Sequence, residues 1–130
     1  MFSRHQSHDS LTILFPCYVG EPLIRISSTP PSNELPIGAA INLNCTAWQT
    51  DDLPMKYIRT RPHKIEWFDP QGKRVGKDCR VAWPPAELMK CTLEVGSLTD
   101  ENHGNYTCRA SNGYNYCSTE RFQISLQQGK

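Results

Sequence analysis

The segment Gly104-Asn105-Tyr106-Thr107-Cys108 decides how the rest of the chain is read. It follows the polar corner Thr99-Asp100-Glu101-Asn102-His103, and in it Gly104, Tyr106 and Cys108 recur at the two-residue period of a strand with one buried face. Upstream, Leu93 and Val95 keep that period, with Leu98 next to the corner. Downstream, Asn112-Gly113 marks a turn before a last strand, Cys117 to Leu126, with Phe122, Ile124 and Leu126 on one face. Earlier in the chain Ile41, Leu43, Cys45 and Ala47 alternate with Asn42, Asn44 and Thr46. Ile65 and Trp67 alternate with Lys64 and Glu66 before the turn Asp69-Pro70-Gln71-Gly72, which directs Trp67 into the core. Leu23 to Ser28 reads as a first edge strand stopped by Thr29-Pro30-Pro31, since an edge strand can spare the missing proline donors. No window sustains a helical stripe, so the reading is an all-β domain of about seven to nine short strands.

With 130 residues, 38% of them hydrophobic, the chain can bury one modest core. The formal net charge is +1, which removes the global field expected of a nucleic-acid binder. No apolar run reaches the roughly 18 residues of a helical membrane span, so the expectation is a soluble chain or a fragment cut short of its anchor. Six cysteines favour disulfides and an oxidising, extracellular compartment. They contain no CxxC pair and no paired His at ligand spacing, so a zinc site is not expected.

Two readings of the amino terminus stand side by side. Residues 11–20 form an apolar run behind Arg4 and His5 that resembles a weak signal segment interrupted by Pro16. Alternatively residues 1–16 are a polar, mobile tail, Cys17 belongs to a domain spanning 17–127, and residues 128–130 are a short tail.

Cys45, Trp67 and Cys108, with Tyr106 two residues before the second cysteine, resemble the immunoglobulin fold. The resemblance implies a two-sheet sandwich of I-set or V-like type, a Cys45–Cys108 bridge packed on Trp67, and a Tyr106 hydroxyl that ties down a corner. Leu43 and Leu93 belong to the same core. Domains of this resemblance often carry an aspartate where Asn102 stands, ion-paired to a basic residue near Arg80, and Asn102 departs from that pattern. Within the superfamily, Gly104 to Cys108, Asn112 and Tyr116-Cys117-Ser118 resemble the first immunoglobulin domain of the interleukin-1 receptor family. Leu43 to Trp48 is similar to the single-domain members of that group, and Cys91 to Val95 to secreted interleukin-18-binding proteins. Leu43 to Ala47 equally resembles membrane-proximal domains of growth-factor receptor kinases. The interleukin-1 receptor resemblance implies a second bridge, Cys17–Cys117. Elimination then leaves Cys79 and Cys91, either as a third bridge across a sheet edge or as two buried thiols.

Asn44-Cys45-Thr46 and Asn105-Tyr106-Thr107 are Asn-x-Thr sequons whose middle residues are core positions, so alternation turns both asparagines outward as glycan candidates. His5, His8, His63 and His103 lie beside no candidate nucleophile, and Asp51-Asp52 and Asp100-Glu101 are adjacent pairs that face different ways. No Gly-rich phosphate cradle occurs. The expectation is therefore a non-enzyme without cofactor or metal.

Recognition remains. The loop from Trp48 to His63 interleaves Trp48, Met55 and Tyr57 with Arg59 and Arg61, the aromatic and cationic mix of interface centres; the alternative is that Trp48 and Tyr57 fold back to cover the loop. Tyr114 and Tyr116 offer a second set of rigid contacts. Lys73, Arg74, Lys77 and Arg80 form a basic group that would hold a sulfated glycosaminoglycan unless nearby acids balance it. The leading expectation is an extracellular domain that binds a protein ligand or co-receptor, as in interleukin-1-receptor-related molecules. The alternatives are an adhesive module with homophilic contact and a growth-factor receptor kinase ectodomain that uses heparan sulfate.

Overall fold

The computed structural model describes residues 18–19, 22–49, 61–81, 87–112 and 116–127. Among them are nine strands and no helix: β1 (Tyr18–Val19), β2 (Leu23–Thr29), β3 (Glu34–Leu35), β4 (Ile41–Trp48), β5 (Lys64–Phe68), β6 (Arg74–Arg80), β7 (Leu88–Val95), β8 (Gly104–Ser111) and β9 (Tyr116–Leu126). The larger sheet has the order β1-β9-β8-β5-β6, with β3 also paired to β9, and the smaller has the order β2-β4-β7. β1 and β3 run parallel to β9, one near its start and one at its end. The other pairs are antiparallel.

Alternation explains the core. β4 buries Ile41, Leu43, Cys45 and Ala47 and turns Asn42, Asn44, Thr46 and Trp48 to the other face. β7 buries Met89, Cys91, Leu93 and Val95 in the same phase. From the larger sheet Ile65, Trp67, Tyr106, Cys108, Ala110 and Ile124 complete one cluster, with Leu98 buried beside the corner. Burying one side chain of this size contributes about 1.5–3 kcal/mol, so the interior is where apolar alternation becomes stability.

Two disulfides cross the core. Cys45 of β4 is bonded to Cys108 of β8, with their Cα atoms 6.5 Å apart. Cys79 of β6 is bonded to Cys91 of β7 at a Cα separation of 5.8 Å. The Cys79–Cys91 bridge, expected as one of two states of these cysteines, is formed. It joins the edge strand of the larger sheet to the edge strand of the smaller one and closes one flank of the sandwich. Cys117 is also disulfide-bonded. Cys17 lies outside the described residues.

The corner before β8 is built on hydrogen bonds. The Tyr106 hydroxyl donates to the Asn102 carbonyl at 2.6 Å. Asn102 accepts from the Thr99 amide at 2.7 Å and donates to the Ser97 carbonyl at 2.9 Å. A neutral amide thus ties the corner locally, as donor and acceptor at once. At the β5–β6 turn, Asp69 Oδ1 accepts from the amides of Gln71 and Lys73, both at 2.9 Å.

β6 departs from regular pairing. Ile65 faces Cys79 and Trp67 faces Val75, so the strand bulges between them. Gly76 sits in the bulge at φ +73°, and a Cβ there would stand 2.7 Å from Leu93 Cδ1. The bulge is possible because the residue at its closest approach to β7 has no side chain.

Candidate interaction surfaces

The outer face of the smaller sheet is organised in straight rows across three strands. Leu23, Trp48 and Leu88 are mutually in register and form the end row. The next row is Arg25, Thr46 and Lys90, and the one beyond is Ser27, Asn44 and Thr92. Leu23 is 38% exposed and Leu88 53%, which makes this end apolar on a face that is otherwise polar. The Arg25 guanidinium lies 5.9 Å from the centroid of the half-buried Trp48 ring, a cation–π contact that holds both side chains in place. Below the end row, Arg61 reaches Gln49 Oε1 and Glu87 Oε2, each at 3.4 Å, and the Gln49 amide donates to the Glu87 carbonyl.

The outer face of the larger sheet holds buried charge. Glu66 is 2% exposed, although simple alternation turns it to solvent. Arg74 at 3.2 Å and Lys64 at 3.5 Å pair with its carboxylate. In the β5–β8 register it stands directly opposite the buried Arg109. Burial pushes the Arg109 guanidinium down from its ordinary value, and the Glu66 charge opposes that shift. The sequence signal for the pair was present only as a Glu and an Arg on separate strands; register brings them together.

The expected site residues fall into four groups. Trp48 and Arg61 belong to the smaller-sheet end, with Arg61 engaged in the contacts given above. Met55, Tyr57, Arg59 and Tyr114 lie outside the described residues, as does the side chain of Tyr116. Of the basic group, Arg74 pairs with Glu66 and with Asp78 at 3.2 Å, and Arg80 with Asp78 at 3.9 Å, so carboxylates balance that half of it. Asn105 is exposed on the outer face of the larger sheet. Asn44 is half-buried and its Oδ1 accepts a hydrogen bond from Thr92 Oγ1 at 2.9 Å. Leu23 and Leu88, 65 positions apart in sequence by their numbers, were not picked out as a pair, because only the register of β2, β4 and β7 makes them neighbours. Among the described residues no group of three or more His, Cys, Asp or Glu side chains is arranged to hold a metal ion.

Two layers pinned by a cystine beside a buried tryptophan, with a tyrosine tying the corner into the penultimate strand, define an immunoglobulin-type domain. The immunoglobulin I-set domain model matches residues 24–125, and the chain belongs to that family. It is 26% identical over 124 residues to Papilin of Drosophila melanogaster, an alignment covering 86% of this chain and 4% of that protein. The chain therefore spans a small fraction of the curated relative it matches. Among solved structures it is similar to the CARDB domain of the PF1109 protein from Pyrococcus furiosus, solved in complex with di-metal ions. That similarity has a TM-score of 0.46 at 13% identity and covers 82% of this chain and 96% of the other.

Proposed function

We propose that this I-set domain is an extracellular recognition module that binds a protein ligand or co-receptor by surface complementarity. The observation that carries the reading is the exposed row of Leu23, Trp48 and Leu88 on a sheet face whose neighbouring rows are polar. Contiguous exposed apolar surface rimmed by polar residues is the ordinary mark of a protein contact. The two inter-sheet cystines support an oxidising compartment. Glycans on Asn105 and Asn44 would then decorate the two outer faces.

The finer reading, the ligand-side domain of an interleukin-1-receptor-related molecule, is supported by the likeness of Gly104 to Cys108 and Tyr116-Cys117-Ser118. The bonded state of Cys117 and the pairing of Val19 with it add to that support. The second reading, a structural or adhesive module of a large multidomain protein, is favoured by the likeness to Papilin, of which the chain spans 4%.

Sedimentation velocity over a concentration series, followed by binding to an arrayed panel of secreted and cell-surface ectodomains, separates the two. A chain that stays monomeric and binds one panel member saturably, with loss on Leu88→Asp, supports recognition of a different protein. Concentration-dependent self-association abolished by the same substitution overturns it in favour of the adhesive module.

A further inference from the structure

We infer that the Trp48 end of the β2-β4-β7 face takes an acidic protein surface that presents an apolar side chain to the row of Leu23, Trp48 and Leu88. The inference rests on the reading of the domain as a recognition module and specifies the class of partner. Three observations carry it. The end row is apolar and open, with Leu23 38% and Leu88 53% exposed. The central indole is held by Arg25 at 5.9 Å, so a rigid aromatic anchor needs little ordering on binding. The adjoining row supplies two exposed cations, Arg25 and Lys90, with Thr46 between them.

Charge decides what fits. Neither row contains a carboxylate. Glu87, next to Leu88 in sequence, is occupied by Arg61 at 3.4 Å. The nearest acid of β7 on this face is Glu94, six residues along the strand from Leu88, or about 20 Å away at ~3.3 Å per residue. An apolar centre bordered by two exposed cations, with no carboxylate among the described residues of either row, is complementary to an apolar side chain rimmed by Asp or Glu. A second copy brings no carboxylate from the same patch to Arg25 and Lys90. A sulfated polysaccharide would answer the cations but leave Leu23 and Leu88 without a counterpart.

The test selects a random-peptide phage library on the full chain and titrates the enriched peptides by fluorescence anisotropy. Wild type is compared with Leu88→Asp, with Arg25→Glu plus Lys90→Glu, and with Arg121→Glu, an exposed change on the other sheet. Variants are used only if their melting temperature and cystine map match wild type. Enriched peptides that place Asp or Glu beside Leu, Phe or Trp support the inference. So do an affinity loss of about tenfold or more for Leu88→Asp and for the double charge reversal, and no change for Arg121→Glu. Peptides without acidic residues overturn it. Acidic peptides that ignore Leu88→Asp but are weakened by Arg121→Glu also overturn it, and they leave the recognition reading standing on the other face. Displacement of the peptides by a heparin-derived oligosaccharide whose own binding ignores Leu88→Asp overturns it in favour of a polyanion. No enriched peptide together with self-association in sedimentation overturns the recognition reading itself.

Discussion

Cys45 and Cys91 stand directly opposite each other on β4 and β7, and each is bonded to a different strand of the facing sheet. Cys45 reaches β8 and Cys91 reaches β6, the two neighbours of β5. The strand that carries Trp67 is therefore bracketed by a bridge on either side, and the indole is enclosed where both layers are covalently joined.

The two bridges close loops of different length. Replacing Cys79 and Cys91, separated by 12 residues, with Ala is expected to cost about 3 kcal/mol by the chain-entropy estimate. Replacing Cys45 and Cys108, separated by 63, is expected to cost about 4 kcal/mol. Because Cys45 and Cys91 are neighbours, removal of both bridges will not equal the sum. Urea denaturation of the three variants measures this, and non-reducing peptide mapping is expected to recover Cys45–Cys108, Cys79–Cys91 and Cys17–Cys117.

Tyr106→Phe removes the hydroxyl that donates to the Asn102 carbonyl and is expected to cost about 1 kcal/mol. It also changes the alkaline limb. Burial, and then the Asp69 charge, raise the Tyr106 pKa above its ordinary value. The folded protein thus keeps this proton at a pH where the unfolded chain releases it. Stability from this group is complete below about pH 10 and falls as pH rises through the folded value. Chemical denaturation between pH 9 and 11 should show a steeper loss in wild type than in Tyr106→Phe.

Gly76→Ala and Gly38→Ala separate backbone from contact. Both glycines have positive φ, but a Cβ on Gly38 meets nothing within 4 Å whereas one on Gly76 meets Leu93 Cδ1. Gly38→Ala should cost about 1 kcal/mol from the backbone alone, and Gly76→Ala about 1–3 kcal/mol more, through the displaced Leu93. Thermal melts of the two variants provide the comparison.

Glu66→Gln leaves Arg109 buried without its facing carboxylate and is expected to destabilise the domain by about 3 kcal/mol. Replacing the pair together, Glu66→Leu with Arg109→Met, should cost less than the sum of the single changes, since neither charge is then left alone. A double-mutant cycle in urea measures the coupling. A sum that is simply additive would show that the two side chains do not interact.

Much of this architecture was legible in one dimension, for identifiable reasons. β4 could be read residue by residue because Ile41 to Trp48 carries an unbroken two-residue period, and the tyrosine corner because its parts lie within ten residues of one another. β1 could not be read, since a two-residue pairing has no period. Nor could the burial of Glu66, whose partners Arg74 and Arg109 come from other strands, or the bulge at Gly76, which depends on the approach of Leu93. The row of Leu23, Trp48 and Leu88 was half legible: Trp48 stood out as an aromatic candidate, but its flanking leucines are supplied by register alone.

One further property follows from the parallel pairing of β1 with β9. Tyr18 lies beside the start of β9, and Leu126 ends that strand of 11 residues, about 33 Å further along at ~3.3 Å per residue. A pull applied between these two points would drag the neighbouring backbones past one another lengthwise. Their amide contacts would be strained together instead of being peeled apart in sequence.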